Sequence, residues 1–305
     1  MQQTCQTGKA VCLGLYGAAL AIALPSSLAM AQAAAAGLAA PAISPAAGSA
    51  NINITPRRVI FDRNKRAEAV YVFNQGNAAA VVDVALVDNV MLASGEIVPV
   101  GRAAEKGAEA VAAAATIKSA KPMLLAAPSR LVLAPGQGRT IRLRATLPEG
   151  DASAEYRTHL TVTNVPPADT GLTAEQAAAA GRGELVLRIQ SIFGLSIPLI
   201  VRTGAVNSAA TLGAIHAGDD KGKPVLDVPI RRSGANSVYG NIEVRSGKDV
   251  VGLVRGLGVY PEVAERTARV PLNRALRKGE NVTVSYLADD AKPGVAMASG
   301  RFTAP

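Results

Sequence analysis

The sequence is poor in the residue types from which most reactive sites are built. It contains two cysteines, two histidines and no tryptophan among 305 residues, and only 3% of the residues are aromatic. Two histidines cannot complete a Cys/His zinc site, and few rings are available to stack on single-stranded nucleic acid. The sequence also lacks a phosphate-binding loop, a calcium-binding loop and a nucleophile elbow. We therefore expect a protein that is not an enzyme, with no catalytic residue, no metal and no cofactor.

The first 31 residues have the pattern of a secretory signal peptide. An apolar stretch ends at Pro25, and small residues at Ala29 and Ala31 precede Gln32. A membrane anchor is the competing interpretation, although the stretch is short for a spanning helix. Cleavage after Ala31 removes both cysteines, so we expect a periplasmic chain without a membrane span, stabilised by packing and not by disulfides. Residues 32–50 are almost entirely alanine, glycine, proline and serine, which predicts a disordered leader.

From Asn51 onward, apolar residues alternate with polar ones, and glycine or proline separates the alternating segments. This pattern predicts an all-β fold of antiparallel strands. The lengths of the two strand-rich blocks favour two immunoglobulin-like β-sandwich domains, an N-terminal one at 51–202 and a C-terminal one at 203–305. Two alanine-rich segments, Arg102–Ala115 and Ala174–Ala180, do not fit the alternation. We interpret them as loop insertions, with a short helix as the alternative.

The longest alternating stretch runs from Glu184 to Arg202, where eight of the nine odd-numbered positions are apolar. A single strand of that length would span roughly 60 Å at ~3.3 Å per residue. Ordinary strands are much shorter, at about 3–10 residues. We call the apolar odd-numbered residues of Glu184–Arg202 the stripe. Either part of the stripe has no partner within its own domain, or two successive core strands are joined by a bend at Gly194 or Pro198.

Three motifs follow one another in the first half of the chain. They are Thr55–Phe61, with an arginine just before an apolar triplet, Leu133–Gly136, a proline–glycine turn followed by Ile141–Leu143, and Glu155–Pro167, a strand that ends in two prolines. In this order, with the long stripe after them, they resemble the periplasmic pilus-assembly chaperones of the PapD-like family. The second half, including Ser237–Gly240, looks like the smaller second domain of a divergent alphaproteobacterial-type branch, so the resemblance covers Asn51–Pro305.

The resemblance implies an ATP-independent periplasmic chaperone that stabilises pilus or fimbrial subunits by donating a β-strand. The donor strand would present Leu185, Leu187, Ile189 and Phe193. The implied partners are pilin-type subunits and an outer-membrane usher, and a free molecule could cap its own stripe as an oligomer. Nucleic acid is not an expected partner, because the basic residues behind the net charge of +9 are scattered along the chain. The alternative is a secreted β-sandwich binding or adhesin-like module without chaperone activity.

In this family, an arginine of the first strand and a lysine of the seventh strand hold the terminal carboxylate of the client. Arg58 matches the arginine, but Pro198 stands at the place of the lysine, four residues before the closing Arg202. The side chains of Arg157 and His159 are predicted to point outward from the neighbouring strand. Arg157 is therefore the candidate for the second cation of the carboxylate anchor. For both arginines, the alternative is a solvated surface charge.

Overall fold

The computed structural model describes residues 49–149, 152–166, 178, 192–289 and 294–305. The predicted signal peptide and most of the predicted leader lie outside these residues. So do most of the segment Ala174–Ala180 and three of the predicted donor-strand residues, Leu185, Leu187 and Ile189. Within the described residues, no helix is both long and apolar enough to cross a membrane.

The described chain forms eleven strands before residue 204. They are β1 (Ile52–Thr55), β2 (Val59–Phe61), β3 (Ala67–Asn74), β4 (Ala80–Val87), β5 (Asn89–Met91), β6 (Ile97–Pro99), β7 (Leu124–Ala127), β8 (Arg130–Leu133), β9 (Gly138–Ala145), β10 (Ala154–Val165) and β11 (Gly194–Thr203). Nine of them form two sheets, with the orders β1-β3-β9-β7 and β2-β11-β10-β4-β8, and β5 pairs with β6. These two sheets enclose one hydrophobic core and make the first sandwich.

Strand periodicity explains which residues enter this core. In β9, Ile141 and Leu143 are buried, whereas Arg142 and Arg144 are exposed between and after them. Successive side chains of a strand point to opposite faces, so one face meets the facing sheet and the other meets solvent. The hydrophobic effect of the buried face, at about 25 cal/mol per Å² of apolar surface, is the main stabilising term.

Eight strands of the second half enclose a second core. They are β12 (Ser208–Leu212), β13 (His216–Asp220), β14 (Lys223–Gly234), β15 (Val238–Ser246), β16 (Asp249–Val259), β17 (Glu265–Pro271), β18 (Asn281–Ala288) and β19 (Ala296–Thr303). In one sheet, β14 pairs with β12, β13 and β17, and the other sheet has the order β16-β15-β18-β19. The two sheets form the second sandwich.

An insertion lies between β4 and β7 of the first sandwich. It contains β5, β6, a 3-10 turn (Val100–Arg102) and two helices, α1 (Ala103–Lys106) and α2 (Ala108–Thr116). The interpretation of Arg102–Ala115 as a loop is therefore wrong, and the helical alternative is correct. Alanine has the highest helix propensity, and Ala110 and Ala113, three positions apart in α2, are buried in a small core with Val90 and Val98.

The predicted all-β fold with two immunoglobulin-like sandwiches is confirmed, while the exact domain boundaries stay a prediction. The described residues belong to a single compact unit. Ile200 of β11 and Met91 of the insertion belong to the second core, so residues from the first half of the chain are buried in the second sandwich. At the start of the described chain, the carbonyl of Ser49 accepts a hydrogen bond from the Asn77 N–H at 3.1 Å, just before the predicted start at Asn51.

Candidate functional site

One edge of β11 is only partly paired. β10 pairs with β11 over all of residues 194–203, whereas β2 pairs with it only at residues 199–201. The Asn164 N–H donates to the Phe193 carbonyl at 2.9 Å. In the alternation of an antiparallel pair, the backbone groups of Gly194, Ser196 and Pro198 then point to the opposite edge. No described strand pairs with that edge at residues 194–198. Pro198 has no N–H, and proline is tolerated at such an edge.

The odd-numbered side chains of β11 belong to the core of the first sandwich. Ile197, Leu199 and Val201 are buried there, and Leu195 packs against them. Within the described part of the stripe, the interpretation as a core strand therefore applies. Phe193, which is predicted to be a donor-strand residue, is half-buried and also packs against this core.

The unpaired edge ends beside Arg58. Val59 of β2 is in register with Leu199 of β11, which places Arg58, the residue before β2, at the level of Pro198. The Arg58 guanidinium carbon lies 4.3 Å from the ring centroid of Tyr239, within the range of a cation–π interaction. Its Nη2 atom lies 3.5 Å from Ser237 Oγ. Arg58 is thus held at the border of the two sandwiches by residues of the stretch 237–240.

Arg157 is not exposed. Only 2% of it is accessible, so the alternative of a solvated surface charge does not apply to this side chain. Its guanidinium donates to Glu262 Oε2 at 2.9 Å and to the Asn89 carbonyl at 3.0 Å, and lies 3.8 Å from the ring centroid of Tyr260. The side chain does face away from the core of its own sandwich, but the second sandwich and the insertion cover that face.

His159 is buried for the same reason, with 3% of it accessible. Burial is the larger cause that lowers the pKa of its imidazole to about 3, and the neighbouring Arg157 charge lowers it further. His159 therefore stays neutral in the folded protein at neutral pH.

A second buried ion pair lies next to Arg58. Glu155 Oε2 accepts hydrogen bonds from Arg202 Nε at 3.0 Å, from the Ser237 N–H at 3.0 Å and from Ser237 Oγ at 2.9 Å. Arg202 Nη2 also donates to the Ser237 carbonyl at 3.4 Å. The sandwich border therefore carries two buried carboxylate–guanidinium pairs, and Arg58 lies beside one of them.

The insertion closes one side of this border. The Arg157 N–H donates to the Lys118 carbonyl at 2.8 Å, and the Ala120 N–H donates to the Arg157 carbonyl at 3.1 Å. The chain after α2 thus runs along the edge of β10, and a cavity of about 230 Å³ remains, lined in part by Lys118, Glu155 and Arg232. In the part of the chain that the structure describes, no group of histidine, aspartate or glutamate side chains could hold a metal ion.

Sequence reasoning placed Arg58 at the head of the first apolar triplet, but it missed Glu262 and Tyr260. Glu262 follows a Tyr–Pro pair in the loop before β17, and no periodicity or motif marks it as the partner of Arg157. The sequence did single out Ser237 and Tyr239, because they belong to the second-domain stretch that resembles the chaperone family.

No protein-family model and no curated protein matches this chain. Solved structures do resemble it. The YadV chaperone is 15% identical with a TM-score of 0.40, over 83% of this chain and 98% of that chain. The E. coli chaperone DraB is 14% identical with a TM-score of 0.37, over 84% and 98%. The Salmonella enterica SafA pilin in complex with the SafB chaperone is 15% identical with a TM-score of 0.41, over 83% and 96%. Each of these three solved structures contains a chaperone.

Proposed function

We propose that this chain is a periplasmic chaperone that captures pilus-type subunits by strand addition. The observation that carries the proposal is the unpaired edge of β11 at residues 194–198, which ends beside Arg58. A subunit that lacks one strand exposes a complementary edge, which is a template for aggregation. An added strand satisfies the backbone hydrogen bonds of that subunit, and alternate side chains enter its pockets.

The apolar stripe supplies the second part of the interaction. Leu185, Leu187, Ile189 and Phe193 share one parity with the core residues of β11. Burying such side chains in a subunit groove contributes about 1.5–3 kcal/mol each, before the cost of ordering both partners is subtracted. Phe193 already contacts its own core, so we assign the larger contributions to the other three. No nucleotide is needed, because exchange with another strand can release the client.

We place the anchor of the client's terminal carboxylate at Arg58. Arg157 is committed to Glu262, so its part in this proposal is indirect: it holds the two sandwiches in position around Arg58. Capture would precede delivery to an outer-membrane usher, and in the absence of a client the same edge could pair with a second copy of this chain.

The test removes one edge donor without disturbing the sandwich. Ser196→Pro deletes a backbone N–H that points to the unpaired edge, where Pro198 is already tolerated. Ser196→Ala is the matched control. It removes the same hydroxyl, which lies 3.0 Å from Thr161 Oγ1 and 3.4 Å from Asn89 Nδ2, but it keeps the N–H.

We expect Ser196→Pro to fold, to be exported and to lose most of the pilin-type subunit that co-purifies from periplasm, as identified by mass spectrometry. Ser196→Ala should retain it. Equal recovery of the subunit with both variants contradicts strand addition at this edge. Recovery of no subunit with any of the proteins favours the adhesin-like alternative.

A further inference from the structure

The outer face of the sheet β1-β3-β9-β7 carries two arginines without a counterion. Arg142 and Arg144 of β9 are exposed, and their guanidinium groups form no hydrogen bond or ion pair with the described residues. The positions in register with them on β3 and β7 are three alanines and Leu125, with no acid among them. We call this surface, with Arg142 and Arg144 at its centre, the arginine face.

Exposed arginines in two other sheets are neutralised by an acid on the neighbouring strand. Arg130 of β8 is in register with Asp83 of β4, and its Nε donates to Asp83 Oδ1 at 2.6 Å. Arg269 of β17 is in register with Asp227 of β14, and its Nε donates to Asp227 Oδ1 at 2.9 Å. Opposite charges placed in this way stabilise a sheet. The arginine face lacks this compensation, so an anion from outside the molecule can supply the missing negative charge.

The arginine face also exposes apolar and aromatic side chains. Tyr71 of β3 is 45% accessible and Leu125 of β7 is 65% accessible. The rings of Tyr71 and Phe73 stack with their centroids 5.7 Å apart. The Tyr71 ring lies across β9, where a methyl group at Gly138 would collide with its hydroxyl oxygen. Every other outward residue of the four strands is alanine, threonine or asparagine, so the face is broad and shallow.

This combination of shape and charge fits an anionic lipid surface better than other partners. A small-molecule site encloses most of its ligand, which the outer face of a sheet does not do. A second copy docked through the same face would bring Arg142 and Arg144 against their own counterparts, and like charges repel. Guanidinium groups bind phosphate in bidentate geometry. Tyrosine, with an apolar ring and a polar hydroxyl, is enriched where lipid headgroups meet the hydrocarbon layer.

We propose that the arginine face binds the surface of a membrane that contains anionic phospholipid. Arg142 and Arg144 contact the lipid phosphates, and Leu125 and Tyr71 enter the interface beside them. This inference goes beyond the proposed function and does not depend on it, because the unpaired edge of β11 belongs to the other sheet of the sandwich. A client held at β11 would therefore leave the arginine face free to rest on a membrane.

The first test is co-sedimentation at low ionic strength with vesicles of phosphatidylcholine alone, or of phosphatidylcholine and phosphatidylglycerol in equal parts. The variant carries Arg142→Gln and Arg144→Gln. The matched control carries Arg255→Gln and Arg301→Gln, which remove two exposed charges, equally without a partner among the described residues, from the second sandwich.

We expect the wild type and the control to bind only the vesicles with phosphatidylglycerol. The variant should bind them roughly thirtyfold more weakly, since each cation near an anionic surface is worth about 1 kcal/mol, or about fivefold. Equal affinities of the variant and the control, or no binding by the wild type, would overturn the inference and leave the proposed function untouched.

The second test asks whether the face enters the lipid or only meets an anion. The sequence contains no tryptophan, so Leu125→Trp introduces a single fluorescent indole. Its emission should shift to the blue with the anionic vesicles. Val132→Trp is the control, because Val132 is 61% accessible but lies on β8 of the other sheet, and its emission should not shift. Binding to soluble polyglutamate as tight as to the vesicles, without a shift at position 125, would indicate an acidic protein partner and overturn the membrane assignment.

Discussion

Arg157 and Glu262, which are 105 residues apart in the sequence, form a buried ion pair that joins the two sandwiches. The accessible fractions of their side chains are 3% and 2%. Glu262 Oε1 also accepts the Met91 N–H at 2.8 Å, so the same carboxylate holds the insertion. One acidic side chain therefore connects β10, the insertion and the loop before β17.

Removing the charge of Glu262 should destabilise the protein strongly. In Glu262→Gln, the Arg157 guanidinium stays buried without a counterion, and breaking a buried pair in this way costs about 3–5 kcal/mol of the free energy of unfolding. The matched control is Asp83→Asn, because Asp83 pairs with Arg130 through two hydrogen bonds at the surface, where water screens the charges. Urea denaturation should give a much smaller change for the control, and equal changes would contradict the structural role of the buried pair.

Acidification should destabilise the fold through His159. Its folded-state pKa of about 3 lies below the ordinary value of 6.5, so the unfolded chain binds the proton more readily than the folded one. Above pH 6.5 His159 is neutral in both states, so its titration does not lower the free energy of unfolding. As the pH falls from 6.5 towards 3, the unfolded chain takes up the proton and the free energy of unfolding decreases. Since one pKa unit corresponds to about 1.36 kcal/mol, the total loss is roughly 4–5 kcal/mol.

The check is the free energy of unfolding of the wild type and of His159→Gln between pH 7 and pH 4. The slope with pH should be shallower in the variant, because the other titrating groups are unchanged. His216→Gln, which alters an exposed histidine, serves as the control. A wild-type slope in His159→Gln would show that His159 is not the group that titrates.

Two alanines of helix α2 differ in their exposure to solvent. Ala110 is fully buried in the small core of the insertion, whereas Ala112 is exposed. Ala110→Asp places a carboxylate in an apolar contact, so we expect a loss of about 2–5 kcal/mol in the free energy of unfolding. Ala112→Asp adds the same charge to the same helix and should change stability far less. Similar stabilities for the two variants would mean that α2 does not pack on Val90 and Val98.

Client binding should depend on Arg58. Arg58→Ala should fold and be exported normally but bind the client roughly ten- to a hundredfold more weakly, because a charge-assisted hydrogen bond to a carboxylate is worth about 1.5–3 kcal/mol. Blocking the client's terminal carboxylate should have the same effect, and combining the two changes should add little, since both remove one contact. Surface plasmon resonance with the captured subunit would measure this, and full additivity would place the carboxylate elsewhere.

Much of the fold was predictable because strand patterns are local. The alternation around Ile141 and Leu143 specifies which face of β9 is buried, and the pattern alone requires no knowledge of the rest of the chain. The motif around Arg58 also predicted an arginine just before a short apolar strand, where the structure has it. The helices of the insertion were harder to predict, because an alanine-rich segment is compatible with a loop until a neighbouring surface buries Ala110 and Ala113.

The sequence by itself determined that this chain builds two β-sandwiches and that the Arg157 side chain points away from the core of its own sheet. It could not determine whether that outer face meets water or protein, because parity along a strand describes only the strand's own sheet. The tertiary structure decided this by placing Glu262 and the insertion over Arg157, while it left the edge of β11 at Ser196 unpaired.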